Sequence, residues 1–379
     1  VWLVGRDFRA CDNIALNSLA EEFKEGDTML IIFVYSAIIS KKGSDFLKNL
    51  LKSLPIKIFQ SDQELDNFLN TLDNPILYYN EDLTPWCRNR DAELKSKFRC
   101  VTNRSGYTIY PIDEGKVYKV FAPYYKLVSQ EPPKPYTHWK IDHIVPSEFK
   151  DNTFRKDAIN ILKTYAYSDN PSRLSVYMRN GLLSAREAYH GFHTEHKKRE
   201  LLFREFYYRV YWQEPRLLLG DAYDTAFDQR LRKLYWSYGE EGLNIFKMVV
   251  EARTGNRAVD DMVRDLYHEG YLTNRKRMAL AMYFTKTLAL DWRWGDKWFA
   301  HALIDYDPIQ NSAGWQWAAS VGVSPSPYFV IMNPCNIKDT ECSEISKIDL
   351  RKRNDEAKQK LKKVKNAVIP FIFHQGTSK

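Results

Sequence analysis

Cysteine spacing of the metal-binding kind is missing from this chain. Its five cysteines, Cys11, Cys87, Cys100, Cys335 and Cys342, are odd in number and include no CxxC pair, so neither a zinc site nor a disulfide framework is expected. A reducing, intracellular setting follows from that reading. No apolar run approaches the roughly 18 residues of a membrane span. No charged-then-apolar leader precedes the first apolar run, so a soluble protein without a membrane partner is expected. No internal repeat of fixed period is legible.

What is present is ample. The 379 residues can bury a large core and suggest two or three domains. With 44% hydrophobic and 27% charged residues the composition is that of a globular protein. Lys and Arg outnumber Asp and Glu by 56 to 48, and the formal charge of +8 suits an anionic partner such as nucleic acid as well as it suits a basic solvated surface. Aromatics reach 14%, and the tryptophans cluster late in the chain.

Val1–Val4, Met29–Tyr35, Ile56–Phe59 and Ile76–Tyr79 are short β-rich runs separated by segments with helical periodicity. That alternation predicts a parallel, Rossmann-like α/β domain over residues 1–128. Arg6, Asp7 and Arg9, after the first run, read most simply as ion pairs on a surface turn. Pro132, Pro133, Pro135 and Pro146 make residues 129–150 an extended linker rather than a helix. Beyond it Phe154–Tyr165, Leu182–Tyr189, Lys197–Tyr211, Val259–His268 and Arg275–Leu290 are amphipathic at helical spacing, so an all-helical domain over 151–334 is expected. Residues 335–379 form a basic tail whose part Lys347–Lys365 is helix-prone.

The stretch from Asp291 to Trp317 is the least ordinary. Trp292, Trp294 and Trp298 recur at roughly helical spacing, as a buried apolar face would. Asp305, Asp307 and Asn311 then interrupt that segment with polar groups, which are costly to bury without hydrogen-bond partners. A polar heterocycle is one source of partners. Three further places invite a functional reading beside an ordinary one. Pro171-Ser172-Arg173-Leu174-Ser175 precedes a helix-like run and is either an N-cap or an anion cradle. Glu200 and Phe203 share a helix face with Arg204 nearby. Asn274, Arg275, Arg277 and Met278 open a basic helix that is otherwise a solvated face.

These residues together resemble the photolyase/cryptochrome family, most closely its class I-type cyclobutane pyrimidine dimer photolyases. The likeness rests on Asp305-x-Asp307, Asn311 and Gly314-Trp315-Gln316-Trp317 after Asp291-Trp292-Arg293. It extends through Arg253-Thr254-Gly255, Asn274-Arg275-Lys276-Arg277-Met278, Pro327-Tyr328-Phe329 and Asn333-Pro334. The resemblance implies an FAD-binding helical domain in which Tyr165, Ser172, Arg173, Leu174 and Ser175 cradle the pyrophosphate, with Pro171 where a threonine is usual. Arg277, Asp305, Asp307 and Asn311 would hold the ring system, Arg277 paired with Asp305. It further implies light-driven repair of cyclobutane pyrimidine dimers in ultraviolet-damaged DNA. Glu200, Phe203, Arg204, Asn274, Arg275, Met278 and Trp317 would meet DNA and lesion, and Trp315, Trp292 and Trp236 would pass electrons. Asn274 and Met278 stand where relatives repairing (6-4) photoproducts carry two histidines, and Asn311 stands where cryptochromes carry Asp or Cys. A blue-light receptor and a (6-4) repair enzyme are the alternatives. Cys87 and Leu218-Leu219 match the family's folate contacts poorly, leaving open a folate, a deazaflavin, another flavin or no antenna. A monomer is expected.

Overall fold

The computed structural model describes residues 1–35, 40–112, 118–134, 144–150, 152–338 and 340–367. Residues 135–143 of the expected linker and 368–379 of the tail lie outside the described residues. In chain order the elements are β1 (Trp2–Val4), α1 (Ile14–Glu22), β2 (Ile31–Val34), α2 (Lys41–Lys52), β3 (Lys57–Phe59), α3 (Asp62–Leu69), β4 (Ile76–Asn80), α4 (Pro85–Lys97) and β5 (Arg99–Asn103). Helices follow: α5 (Phe121–Val128), α6 (Ser147–Lys150), α7 (Thr153–Thr164), α8 (Ser175–Arg179), α9 (Ala185–Gly191) and α10 (Glu195–Gln213). The series closes with α11 (Thr225–Leu234), α12 (Gly239–Val250), α13 (Arg257–Glu269), α14 (Asn274–Met282), α15 (Trp292–Ala302), α16 (Pro308–Ala318) and α17 (Glu344–Asn366). The chain divides into two compact units, Val1–Gly220 with Lys297–Ala313, and Asp221–Asp296 with Gly314–Lys379.

The first unit contains the expected parallel sheet, in the order β3-β2-β1-β4-β5. Side chains alternate along each strand, so one face is covered by α1 and α2 and the other by α3 and α4. Trp2, Val4, Ile31, Phe33 and Tyr78 pack with Leu16, Leu47 and Leu51 on one face. Leu3, Ile32, Leu77 and Tyr79 pack with Leu65, Leu69 and Leu94 on the other. The edge strand β5 went unpredicted because its sequence, Arg-Cys-Val-Thr-Asn, has no apolar run and is at most half-buried. Side-chain caps start many helices where the sequence supplies them. Asn13, Ser40, Ser61 and Thr194 each accept a backbone N–H from the first turn. Ser184 and Glu187 form a reciprocal capping box on α9.

In the second unit the expected helix from Arg275 to Leu290 is shorter. It runs as α14 and then widens into a π-turn over Tyr283–Thr287, where the Leu288 N–H reaches back to the Tyr283 carbonyl. The tail helix is present, and Leu350, Asn354, Ala357, Leu361 and Val364 are buried along it. Two expectations are corrected. Cys335 and Cys342 form a disulfide with Cα atoms 5.5 Å apart, so the reducing setting inferred from spacing loses that support. A short 3-10 turn over Pro334–Asn336 reverses the chain and lets so close a pair meet. Asp7 and Arg9 are not on a surface turn; they are 0% and 1% exposed.

Candidate functional site

The reversal of strand order falls between β1 and β4, the place where open parallel sheets usually present a ligand crevice. Here the protein's own polar side chains fill it. Asp7 accepts the Gly5 N–H at 2.7 Å and the Asn80 amide at 2.7 Å. Arg9 donates to the carbonyls of Asp12, Gly106 and Gly181, each at 3.0 Å. Gly181 has φ +64, and a Cβ there would lie 1.8 Å from the Arg6 carbonyl oxygen, so only glycine lets these backbones approach.

Arg6 extends this network to the expected site residues. It donates to Asp82 at 2.7 Å, to the Tyr208 hydroxyl at 3.0 Å and to Asp307 at 2.9 Å. Tyr208 on α10 also donates to Asp307, while the other Asp307 oxygen takes the N–H groups of Ile309 and Gln310 at 3.0 and 3.1 Å and caps α16. Burial alone would raise the Asp307 carboxyl, but Arg6, Arg204 and Arg179 outweigh it and hold it down at about 2. Burial and the neighbouring Arg6 push the Arg179 guanidinium below its ordinary value. Arg6 Nη2 is buried and has no hydrogen-bond acceptor among the described residues. A buried cationic N–H of that kind suits an acceptor supplied by a ligand.

The remaining expected residues of the first unit lie on α7, α8 and α10 and near α16. Tyr165 caps the end of α7. Ser172 is half-buried, Arg173 and Ser175 are exposed, and Arg173 has φ 57. The Ser172 hydroxyl accepts the Leu174 N–H at 3.5 Å ahead of α8. Glu200 on α10 is exposed beside His196 and Lys197. Phe203, one turn on, packs against Phe121 with ring centroids 4.2 Å apart. Arg204 donates to the Tyr107 carbonyl and the Tyr208 hydroxyl, each at 3.2 Å. Asp305 and Asn311 are buried, at 5% and 9% exposure.

The second unit carries Trp236, Trp292, Trp315 and Trp317 as well as the start of α14. Asn274 and Arg275 are exposed at the first turn of α14, and Met278 is half-buried one turn later. Arg277 donates to the Leu272 carbonyl at 2.7 Å with its guanidinium over the Tyr271 ring. Trp317 is half-buried, and its carbonyl accepts the Ser326 N–H at 3.2 Å. Trp315 lies on Gly295 of α15, where a Cβ would stand 2.2 Å from its six-membered ring. Trp292 donates its indole N–H to Asp228 at 3.1 Å, and Asp228 is paired with Arg293 at 2.8 Å. Trp236 is 5% exposed.

The family model that describes the FAD binding domain of DNA photolyase matches residues 197–342. The deoxyribodipyrimidine photo-lyase of Alkalihalophilus pseudofirmus is 29% identical over 404 residues, which cover 88% of this chain and 82% of that protein. Over most of its length the chain is similar to DNA photolyases. A second photo-lyase, from Vibrio cholerae, is 36% identical over 44% of this chain, a match that spans only 36% of that protein's length. Among solved structures, an archaeal photolyase from Sulfolobus tokodaii with two FAD molecules has a TM-score of 0.71 at 25% identity, covering 96% of this chain and 89% of that one. A class III photolyase from Agrobacterium tumefaciens shares the fold with a TM-score of 0.71 at 20% identity, covering 97% of each chain.

Beside these likenesses, the residues present fit FAD. The hydroxyl residues Ser172 and exposed Ser175 ahead of α8 suit its phosphates, the buried Asn311 amide suits a ring N–H, and the Arg6 Nη2 donor suits an oxygen. No cluster of His, Cys, Asp or Glu able to hold a metal occurs among the described residues. Sequence reasoning missed Tyr208, Asp82 and Arg179, which fix Asp307, and Gly295 and Asp228, which fix the tryptophans. A glycine inside a tryptophan-rich helix was the one local sign of close approach. No described helix is long and apolar enough to cross a membrane.

Proposed function

We propose that the chain is a light-driven repair enzyme for cyclobutane pyrimidine dimers in ultraviolet-damaged DNA. The observation that carries this reading is the pairing of a FAD-domain match over 197–342 with Asn274 and Met278 at the start of α14 rather than two histidines. Bound FAD in its reduced form supplies a light-excitable electron donor, and the chemistry of dimer splitting requires an electron but no proton donor of the histidine kind. The protein's task is to hold that cofactor, exclude water and receive the lesion.

Asn311 would accept a hydrogen bond from the reduced ring, with Arg277 and Asp305 at the ring's polar edge. Asp307 would act at one remove, by fixing Arg6 and the first turn of α16. Tyr165, Ser172, Arg173, Leu174 and Ser175 would hold the phosphates. Glu200, Phe203, Met278 and Trp317 would receive the dimer flipped from the duplex, where the distorted lesion lowers the cost of unstacking to a few kcal/mol. Asn274, Arg204 and Arg275 would contact lesion and phosphate, and the affinity contributed by phosphate contacts would fall with salt. Domain limits of 1–128, 151–334 and 335–379, with the linker between, belong to the same proposal.

An antenna chromophore has a candidate place in the first unit. An open cleft of about 530 Å³ includes Tyr35, Lys48, Lys52 and Gln60 in its lining, a setting of aromatic ring and ammonium groups that suits a planar anion. A second chromophore released on denaturation, and absent from a Lys48→Ala/Lys52→Ala protein, would support it.

The deciding test is dimer loss from an irradiated thymine oligonucleotide with chemically reduced, FAD-loaded protein in blue light and in darkness. Repair in light alone is expected. Absence of repair with FAD bound and reduced would reject the proposal and direct attention to (6-4) lesions and photoreception.

A further inference from the structure

Electrons that rereduce a buried cofactor must enter the protein from solution, yet the three expected carriers are all covered. Trp315, Trp292 and Trp236 are 2%, 0% and 5% exposed. A different aromatic series in the second unit does reach the surface. Trp315 meets Phe284 edge-on with centroids 5.2 Å apart, and Phe284 meets Phe246 at 6.0 Å. Phe246 meets Trp294 at 5.8 Å, and Trp294 meets Tyr238 at 5.9 Å. Trp294 is also the helix neighbour of Gly295, on which the Trp315 ring rests. Tyr238, at the end of the series, is 39% exposed.

The chemistry around Tyr238 matches that position. A phenol titrates near pH 10, so at neutral pH it is oxidised with loss of its proton, and a base must receive that proton. The Tyr238 hydroxyl donates to Asp291 Oδ2 at 2.7 Å. Asp291 also accepts the Arg293 N–H at 3.0 Å and Arg293 Nη1 at 3.1 Å, and Arg293 continues to Asp228, the acceptor of the Trp292 indole. Arg232 is the other charged group facing the Tyr238 hydroxyl. The phenol is thus connected to Trp315 through ring contacts and to Trp292 through a network of carboxylate and guanidinium groups.

We propose that Tyr238 is the solvent-side terminus of the electron-transfer chain serving the bound flavin, and that Asp291 takes its proton. The inference rests on the flavin reading above. Once Trp315 has given an electron to the light-excited oxidised flavin, it regains one relayed through Trp294. Tyr238 supplies that electron; its O–H bond breaks, the proton passes to Asp291 Oδ2, and a neutral tyrosyl radical remains. Ascorbate in solution then returns one electron to the ring, and the proton comes back from the Asp291 carboxyl.

Flash photolysis and electron spin resonance of the FAD-loaded protein in ascorbate provide the test. The unaltered protein should show a neutral tyrosyl radical. Tyr238→Phe should lose that signal and reduce its flavin several-fold more slowly, while still folding, since it removes one hydroxyl at a half-exposed position. Asp291→Asn should delay the tyrosyl signal and prolong a tryptophan radical. A tyrosyl signal and reduction rate unchanged in Tyr238→Phe, or lost in Trp236→Phe instead, would overturn the proposal. Flavin reduction at full rate in Trp315→Phe would instead defeat the underlying photoreduction reading.

Discussion

Asp307 receives Arg6, Tyr208 and two backbone N–H groups, and its charge is what makes the cationic cluster around it tolerable. Asp307→Asn would leave Arg6 and Arg179 beside each other with a counter-charge removed. Breaking a buried pair in this way costs about 3–5 kcal/mol, read as a lower urea midpoint with unchanged slope. The effect has a pH signature. The folded carboxyl titrates at about 2, and an unfolded aspartate near 3.9. A depressed carboxylate contributes stability that is present above the unfolded value and is lost as pH falls through the folded one. The stability gap between wild type and Asp307→Asn should therefore narrow as pH falls from about 5 towards 2. Gly295 makes the complementary case by shape alone. Its missing Cβ would sit 2.2 Å from Trp315, so Gly295→Ala should overpack the site by about 1–3 kcal/mol and displace the indole. Thermal unfolding together with the Trp315 near-ultraviolet circular dichroism would register both.

The π-turn after α14 shows how an element can serve two neighbours. The widened turn carries Lys286, which is 1% exposed. Its ammonium donates to the carbonyls of Pro327 and Val330, at 3.0 and 2.9 Å. Met282, at the end of α14, accepts the Met332 N–H at 3.4 Å. The helix bearing Asn274 and Met278 is thereby fastened to the segment that follows Trp317. Burial pushes the Lys286 ammonium down to about 7. An unfolded lysine titrates near 10.4, so between about pH 7 and pH 10 the unfolded chain binds the extra proton and stability rises with pH. Lys286→Met should abolish that rise, and it should speed amide exchange at Tyr328, Phe329 and Val330 because two carbonyl anchors are gone. An identical pH dependence in the variant would mean that another group titrates there.

At the scale of the whole molecule, what was legible in the sequence was what is local. Short β-rich runs disclosed the first four strands, and amphipathic spacing disclosed the helices after the linker. The motif from Asp291 to Trp317 disclosed the likeness to photolyases. The Arg6–Asp307 pair was hidden because its members are 301 positions apart, and a charged turn after a strand usually faces water. The disulfide was hidden because only the chain reversal at Pro334 makes two isolated cysteines neighbours. The basic tail was half legible: its helix was expected, its buried face was not. That face decides how the tail's charge must be tested. Deleting α17 would remove Leu350, Leu361 and Val364 from the second unit's interior and would confuse lost binding with lost folding. Lys360, Lys362 and Lys363 are exposed and can be changed without touching that face. Replacing all three with glutamine should alter stability by no more than about 0.5 kcal/mol per site. If the exposed face of α17 meets the DNA backbone, each phosphate contact contributes about 0.9 to the slope of log affinity against log salt, so the triple variant should be shallower by about 1–3. A slope equal to wild type would make α17 a structural brace with a solvated outer face, leaving phosphate attraction to residues such as Arg275 at the start of α14.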